Sequence, residues 1–379
     1  MAVTTALITF RLSWTGEYRN KYLNMRKILT FLLLVAVASA AHARQEIDVL
    51  ELGLQGKLTV TVNPFDRFNA DEYPAVYDDA KTLITQVRSS AGYFVAFRTD
   101  TRNIQAKIEY RNPDHYEGCD LYIKKDGRWL YAGSQTKCRH GKVIDLVRHM
   151  DGSEHECIVY FPLQKPVGSM KIIIDDKASI TPIECPFRHR IAALGSSFTQ
   201  GAGVTRPGLT WSAQLSRMTG LMFINMGFCG NCKLQPFHAQ VLGRSDAEAY
   251  VIDAFSNPSA QEIRDRLFIF IDTLREAERE AGKSPKPVIF LKTIWREGNN
   301  FNVKKLEREM AKMAAAEEMM ALATNQYDDV HWVTTTDATD YKYHETCTDG
   351  THPNDYGYTL WAESILKPVT RILAKYDIK

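Results

Sequence analysis

Ile191-Ala-Ala-Leu-Gly-Ser-Ser-Phe-Thr-Gln-Gly-Ala-Gly203 is the stretch whose reading decides the fold. A short apolar run breaks off at Gly195 into two serines and two further glycines. A buried parallel strand entering a tight turn at its carboxyl end has this pattern. Downstream, apolar runs at 222–226, 250–254, 288–291 and 330–333 read as further strands. Between them Ile263, Leu267, Phe270, Ile271 and Leu274 fall at helical spacing, as do Val303, Leu306, Met310 and Met313. The methionine-bearing stripe reads as core packing. Five strands with crossover helices predict a parallel sheet covered on both faces. Ligands of such sheets bind outside the carboxyl ends of the strands.

Upstream the rhythm differs. Runs at 58–62, 92–97, 106–110, 120–123, 157–161 and 170–174 are short and rich in β-branched or aromatic residues. Asn112-Pro, Asp126-Gly and Asp151-Gly punctuate them as turns. That spacing predicts an all-β sandwich or jelly roll over residues 44–176. Residues 177–190, with Pro182 and Pro186, read as a linker, and 191–379 as the α/β domain.

The first residues read as targeting rather than fold. Met25-Arg-Lys, the apolar run 28–38 and Ala41-His-Ala43 match the three regions of a secretory signal, with cleavage expected after Ala43. Residues 1–24 then form an upstream leader, and the mature chain is expected to be secreted or periplasmic. The seven cysteines are 119, 138, 157, 185, 229, 232 and 347, so at least one stays unpaired in a monomer. Export makes disulfides available, and Cys229-Gly-Asn-Cys232 invites one over a tight turn. Buried reduced thiols are the competing reading of that pair.

The 379 residues are 45% hydrophobic and 24% charged with a formal net charge of +2, which is ordinary globular composition. No basic block interleaves with aromatics, which argues against nucleic acid as a partner. No apolar run in the mature chain has the roughly 20 residues of a membrane span. His344 with Cys347 and His352, and His149 with His155 and Cys157, lack a recognised zinc spacing and read as surface histidines.

Polar groups gather at the expected strand ends. Ser197 follows the first strand, Gly230 the second, Asn257 the third, and Asp349-Gly-Thr-His352-Pro-Asn the last. Acyl transfer needs a nucleophile, a base, a group orienting that base, and donors for the developing oxyanion. A carboxylate three residues before a histidine is placed to hold the ring by one nitrogen and leave the other free. Ser196 is the neighbouring candidate for the nucleophile. Gly230 also reads as a turn glycine, and Asn257-Pro as a turn dipeptide.

Gly195-Ser-Ser197, Gly230, Asn257 and Asp349-x-x-His352 resemble, in order, the four blocks of the SGNH (GDSL-type) hydrolase superfamily. The resemblance implies a flavodoxin-like three-layer α/β/α sandwich. It also implies a catalytic triad of Ser197, Asp349 and His352, with oxyanion donors from Ser197, Gly230 and Asn257. Gly118-Cys-Asp-Leu-Tyr122 is similar to the Gly-x-Asp-Leu-Tyr signature of a β-sandwich domain that precedes some bacterial SGNH hydrolases. Asp120 and Tyr122 read as sandwich structure ahead of sugar contacts. The expected activity is hydrolysis of a short acyl ester, an O-acetyl group on carbohydrate foremost, with no cofactor. A lipid or thioester acyl hydrolase and an inactive carbohydrate-binding protein are the alternatives.

Overall fold

The computed structural model describes residues 25, 44–79, 82–335, 338, 339 and 345–379. The leader, the apolar run 28–38, the cleavage site and His344 lie outside them. Residues 46–379 form one unit.

The first half is a two-sheet β-sandwich. Its strands are β1 Arg44–Asp48, β2 Leu54–Gln55, β3 Phe94–Thr99, β4 Ile104–Tyr110, β5 Tyr116–Lys125, β6 Arg128–Arg139, β7 Val143–Val147, β8 His155–Tyr160, β9 Val167–Asp175 and β10 Ile180–Pro182. One sheet runs β1-β9-β4-β7, and the other runs β10-β3-β8-β5-β6 with β2 also on β3. Alternate residues divide between two cores, as the two-residue period of a strand requires. Val95, Phe97, Leu121, Cys157 and Val159 face the other sheet, against Ile104, Ala106, Met170 and Ile172. Phe94, Ala96, Tyr122, Ile158 and Tyr160 face the second half of the chain.

That second half is a parallel sheet of β11 Arg188–Gly195, β12 Leu221–Gly227, β13 Ala249–Asp253, β14 Val288–Leu291 and β15 Val330–Val333. Its order β12-β11-β13-β14-β15 reverses direction at β11, where the crevice of a doubly wound sheet opens. Helices α3 Ser197–Gln200, α4 Trp211–Thr219, α5 Pro236–Arg244, α6 Ala260–Glu280, α7 Val303–Gln326 and α8 Asp355–Ala374 follow the strands, after two short helices, α1 Ala75–Asp79 and α2 Leu83–Val87, in the first half. Ile191 and Ala193 pack with α4 and α8, while Ala192 and Leu194 pack with α5, α6, α7 and the sandwich. The three-layer architecture and the preceding β-sandwich agree with the sequence reading.

Three local expectations need correction. Residues 58–62 form no strand. Thr59 Oγ1 donates to Arg67 O at 2.9 Å, Thr61 Oγ1 to Asn63 O at 2.6 Å, and Lys57 Nζ to Thr61 Oγ1 at 2.7 Å. The two threonine bonds to the backbone compete with a sheet ladder, and Val60 and Val62 stay exposed. Residues 177–190 carry β10, paired with β3, and the start of β11, which leaves 183–187 as the connector between them. The methionine stripe is not core along its length. Val303 and Met310 are exposed, and the buried face of α7 begins at Glu309 and Lys312, giving way to Ala315, Ala316, Met319, Met320 and Ala323. An ion-pair cluster, described below, occupies the first part of that face.

Candidate active site

The strand β11 ends at Gly195, where a Cβ would lie 2.0 Å from Thr199 Oγ1 and 2.9 Å from Asp253 O. Only glycine lets the chain turn there. Ser196 caps α3, its hydroxyl accepting the N–H of Phe198 at 3.1 Å. The same hydroxyl donates to Asp253 Oδ2 at 2.9 Å, and Thr199 Oγ1 donates to that oxygen at 3.2 Å. Asp253, at the end of β13, thus pins the turn to the neighbouring strand. Burial pushes its carboxyl up to about 7, against the hydrogen bonds from Ser196 and Thr199 that favour the ionised form. Ser196 is wholly buried by these bonds, whereas Ser197 lines a cleft of about 540 Å³ together with Cys229, Gly230, Asn257 and His352. At the first position of α3 the N–H of Ser197 lies outside the helix's own ladder.

The loop 345–354 brings His352 to this cleft. Thr348 N–H donates to His352 O at 2.8 Å, and Asn354 N–H to Thr346 O at 2.8 Å, closing a small hairpin around Asp349. Asn354 caps α8 through the N–H of Gly357. Gly203 meets this loop so closely that a Cβ would stand 2.4 Å from Pro353 O. Thr348 Oγ1 donates to Gly203 O at 3.1 Å, and the buried Tyr358 hydroxyl donates to Ala202 O at 2.8 Å. The Phe198 ring stands edge-on to the His352 ring at 5.9 Å.

Asp349 and His352 meet as the spacing predicts. His352 Nδ1 and Asp349 Oδ2 are 2.8 Å apart, while Asp349 Oδ1 accepts the N–H groups of His352 at 2.8 Å and Thr351 at 2.9 Å. Burial would raise the Asp349 carboxyl, but the N–H and ring of His352 and the N–H of Thr351 hold it down at about 2. The neighbouring Cys229 sulfur, which lines the same cleft, and then Asp349 raise His352 above its ordinary value against the cost of burial.

Gly230 lies in the turn after β12 with φ +74°. Its N–H meets no acceptor among the described residues. Asn257 follows β13, and its Oδ1 accepts the N–H of Cys232 at 3.3 Å, which leaves the amide nitrogen as the end available to the cleft. The cysteine pair carries no disulfide, contrary to the bonded alternative: Cys232 is a buried core residue, while Cys229 faces His352.

Several residues that sequence reasoning passed over hold this turn. The buried Arg67 guanidinium donates to Gly227 O and, at 2.6 Å, to Ser89 Oγ, and lies 4.8 Å over the Phe228 ring. Gln86 Nε2 donates to Cys229 O at 2.7 Å, and its Oε1 accepts from Asn231 Nδ2 at 2.9 Å. Asp120 and Tyr122 are structural, as expected, but across the two halves of the chain. Asp120 accepts from Arg206 at 2.8 Å and from the N–H of Gly208 at 3.1 Å, and Tyr122 accepts from Arg206 at 2.6 Å. No local pattern signals such partners, which lie 80 or more positions apart.

Arg296 lines the cleft, as Trp295 and Phe228 do not. A larger hollow of about 740 Å³ lies near Arg190, Met222 and Asp246, at the amino-terminal edge of the sheet and away from the converging polar groups.

Comparison with known proteins agrees with both halves of the architecture. Residues 188–371 match the GDSL-like Lipase/Acylhydrolase family, and residues 45–180 match the N-terminus of the SGNH-hydrolase-type esterases. A solved structure from Bacteroides ovatus, described as a GDSL-like lipase, is 32% identical, with a TM-score of 0.81 over 88% of this chain and 98% of that one. A salicylyl-acyltransferase from a tetracycline biosynthetic pathway is 16% identical, with a TM-score of 0.62 over 89% of this chain and 99% of its own. A family two carbohydrate esterase from Cellvibrio japonicus is 12% identical, with a TM-score of 0.58 over 88% and 98%. These last two share the fold. No curated protein matches the chain in sequence. The chain belongs to the GDSL-like lipase/acylhydrolase family, the SGNH hydrolases, and carries that family's Gly-x-Asp-Leu-Tyr esterase N-terminus.

Proposed function

We propose that the protein is an exported serine esterase that removes short acyl groups, acetyl foremost, from carbohydrate. Ser197 is the nucleophile and His352 the base in this reading, with Asp349 fixing the tautomer that puts the lone pair on Nε2. The Ser197 hydroxyl attacks the ester carbonyl as His352 takes its proton. The oxyanion is received by the N–H groups of Ser197 and Gly230 and by the Asn257 amide. Collapse expels the sugar hydroxyl, protonated by His352, and water then hydrolyses the acyl-enzyme by the same steps.

The observation that carries the short-acyl reading is the lining of the cleft. Besides Ser197 and His352 it presents Lys233, Ser256, Glu262, Arg296 and Thr351, and Pro258 is its largest apolar side chain. A long acyl chain gains about 0.8 kcal/mol per methylene only where an apolar wall covers it. The carbohydrate part draws on relatives of the same fold described as carbohydrate esterases. Export rests on the leader pattern before Ala43.

On p-nitrophenyl esters, kcat/KM is expected to fall steeply from acetate to octanoate. Acetylated xylan and mannan should release acetate. The rate should decline as pH falls through the His352 value, which lies above the 6.5 reference, because the protonated ring cannot accept a proton. A preference for octanoate would move the function to lipid hydrolysis.

Gln86 supplies a second expectation. By holding the Cys229 carbonyl and the Asn231 side-chain amide it braces the turn on both sides of Gly230. A donor displaced by about 1 Å costs roughly 10²-fold in rate. Gln86→Ala is therefore expected to lower kcat by about 10- to 100-fold with KM nearly constant. An unchanged kcat would show that the turn holds its own shape.

A further inference from the structure

We propose that the cleft recognises acyl esters of anionic saccharides, with a carboxylate or sulfate on the sugar seated against Arg296, Arg308 and Lys312. The inference rests on the saccharide-ester reading above and narrows it. One carboxylate oxygen, Glu309 Oε1, is shared by three cations: Lys312 Nζ at 2.7 Å, Arg296 Nη1 at 3.0 Å and Arg308 Nε at 3.8 Å. Glu309 and Lys312 are 6% and 5% exposed, so solvent screens the inner part of this cluster poorly. Burial, with Arg296 alongside, pushes the Lys312 ammonium down from its ordinary value despite the bond to Glu309. Across the cleft Lys233 and Glu262 offset each other. Four cations and two carboxylates therefore line the cleft, a net +2 before His352 is counted.

Position makes this charge relevant to substrate. Arg296 Nη2 and Lys312 Nζ both donate to Ser256 O, at 3.0 and 2.9 Å, beside Asn257. The cluster thus abuts the strand end that supplies the amide donor. The Arg308 side chain is 65% exposed and has no closer acid than Glu309 among the described residues, so its guanidinium is available at the cleft. Cations along a low-dielectric wall draw anionic ligands and raise their encounter rate. A guanidinium also matches the fork of a carboxylate or sulfate.

The test compares acetate release by the full chain from three saccharides: O-acetylated glucuronic acid, its uncharged carboxamide, and O-acetylated glucose 6-sulfate. The expected kcat/KM is about 10- to 100-fold higher for an anionic substrate than for the carboxamide, the range one or two charge-assisted hydrogen bonds supply. Which anion gains more assigns the natural group to carboxylate or sulfate. Arg308→Gln, at an exposed position, should pull the anion-to-carboxamide ratio toward one, as should high salt. Equal rates on all three substrates would overturn the proposal and leave the saccharide reading standing. So would a loss in Arg308→Gln that falls equally on charged and uncharged substrates, since the cations would then serve the reaction instead. No acetate from any saccharide, with p-nitrophenyl acetate still turned over, would overturn both.

Discussion

Replacing Ser197 by alanine is expected to lower kcat on p-nitrophenyl acetate by about 10⁶-fold, the scale on which a serine hydrolase loses its nucleophile. The protein should stay folded. Ser197 lies at the cleft, and its hydroxyl holds no partner among the described residues, so truncation strands no buried group. Ser196→Ala should behave differently. It removes the cap of α3 and one of the donors to the buried Asp253 carboxyl. A lost cap costs about 1 kcal/mol and a lost hydrogen bond about 0.5–1.5 kcal/mol, with Thr199 Oγ1 still donating to Asp253 Oδ2. The expected signature of Ser196→Ala is a lower Tm with partial loss of rate. Measured side by side, the two variants separate chemistry from support. Full activity in Ser197→Ala with abolition in Ser196→Ala would move the nucleophile by one position.

The contrast between these serines shows where sequence stops informing. That a serine would stand at the turn after β11, on the cleft, was legible, because a buried strand must end in small residues to turn back over the sheet. Which of two adjacent serines faces the cleft was settled by Asp253, 57 positions away, and no periodicity records that bond. Asp349 and His352 were legible for the opposite reason: their contact lies within one hairpin. The tie between the β-sandwich and the Gly230 turn was invisible, since Arg67 and Gln86 find their partners 160 and 143 positions away. Chemistry misled at residues 58–62, where alternating threonine and valine has a strand's composition. The hydroxyls there bond locally instead. The α7 stripe misled because apolar spacing was followed while Glu309 and Lys312, three apart and equally periodic, took the buried face. Two opposite charges on one helical face before a methionine-rich run were the available signal for that cluster.

Cys229 alters how the site should respond to pH. Its sulfur is the leading contributor to the raised His352 value, ahead of Asp349 among the groups that raise it. Two neighbours of different chemistry thus favour the protonated His352 ring. One is a carboxylate at about 2, ionised at every working pH, and the other a thiol. Removing either is expected to shift the acid limb of the kcat/KM profile toward lower pH, and removing one leaves the other.

Asp349→Asn makes that division measurable. In the wild type the carboxylate does two jobs at once: Oδ1 accepts the N–H groups of Thr351 and His352, and Oδ2 accepts from the ring. An amide has a single acceptor oxygen. With that oxygen kept on the two backbone N–H groups, its NH₂ faces His352 Nδ1. The ring must then present a lone pair at Nδ1 and carry its proton on Nε2, the nitrogen that should receive the serine proton. The side chain of Asp349 is 54% exposed, so screening weakens its charge and orientation becomes its larger contribution. The expected result is a fall in kcat of about 10⁴-fold with KM little changed, as the wrong tautomer produces in a serine triad. The acid limb should move only part of the way down, because Cys229 still favours the protonated ring. A loss below tenfold would mean that the Cys229 side fixes the imidazole by itself, and Asp349 would then be only a loop support.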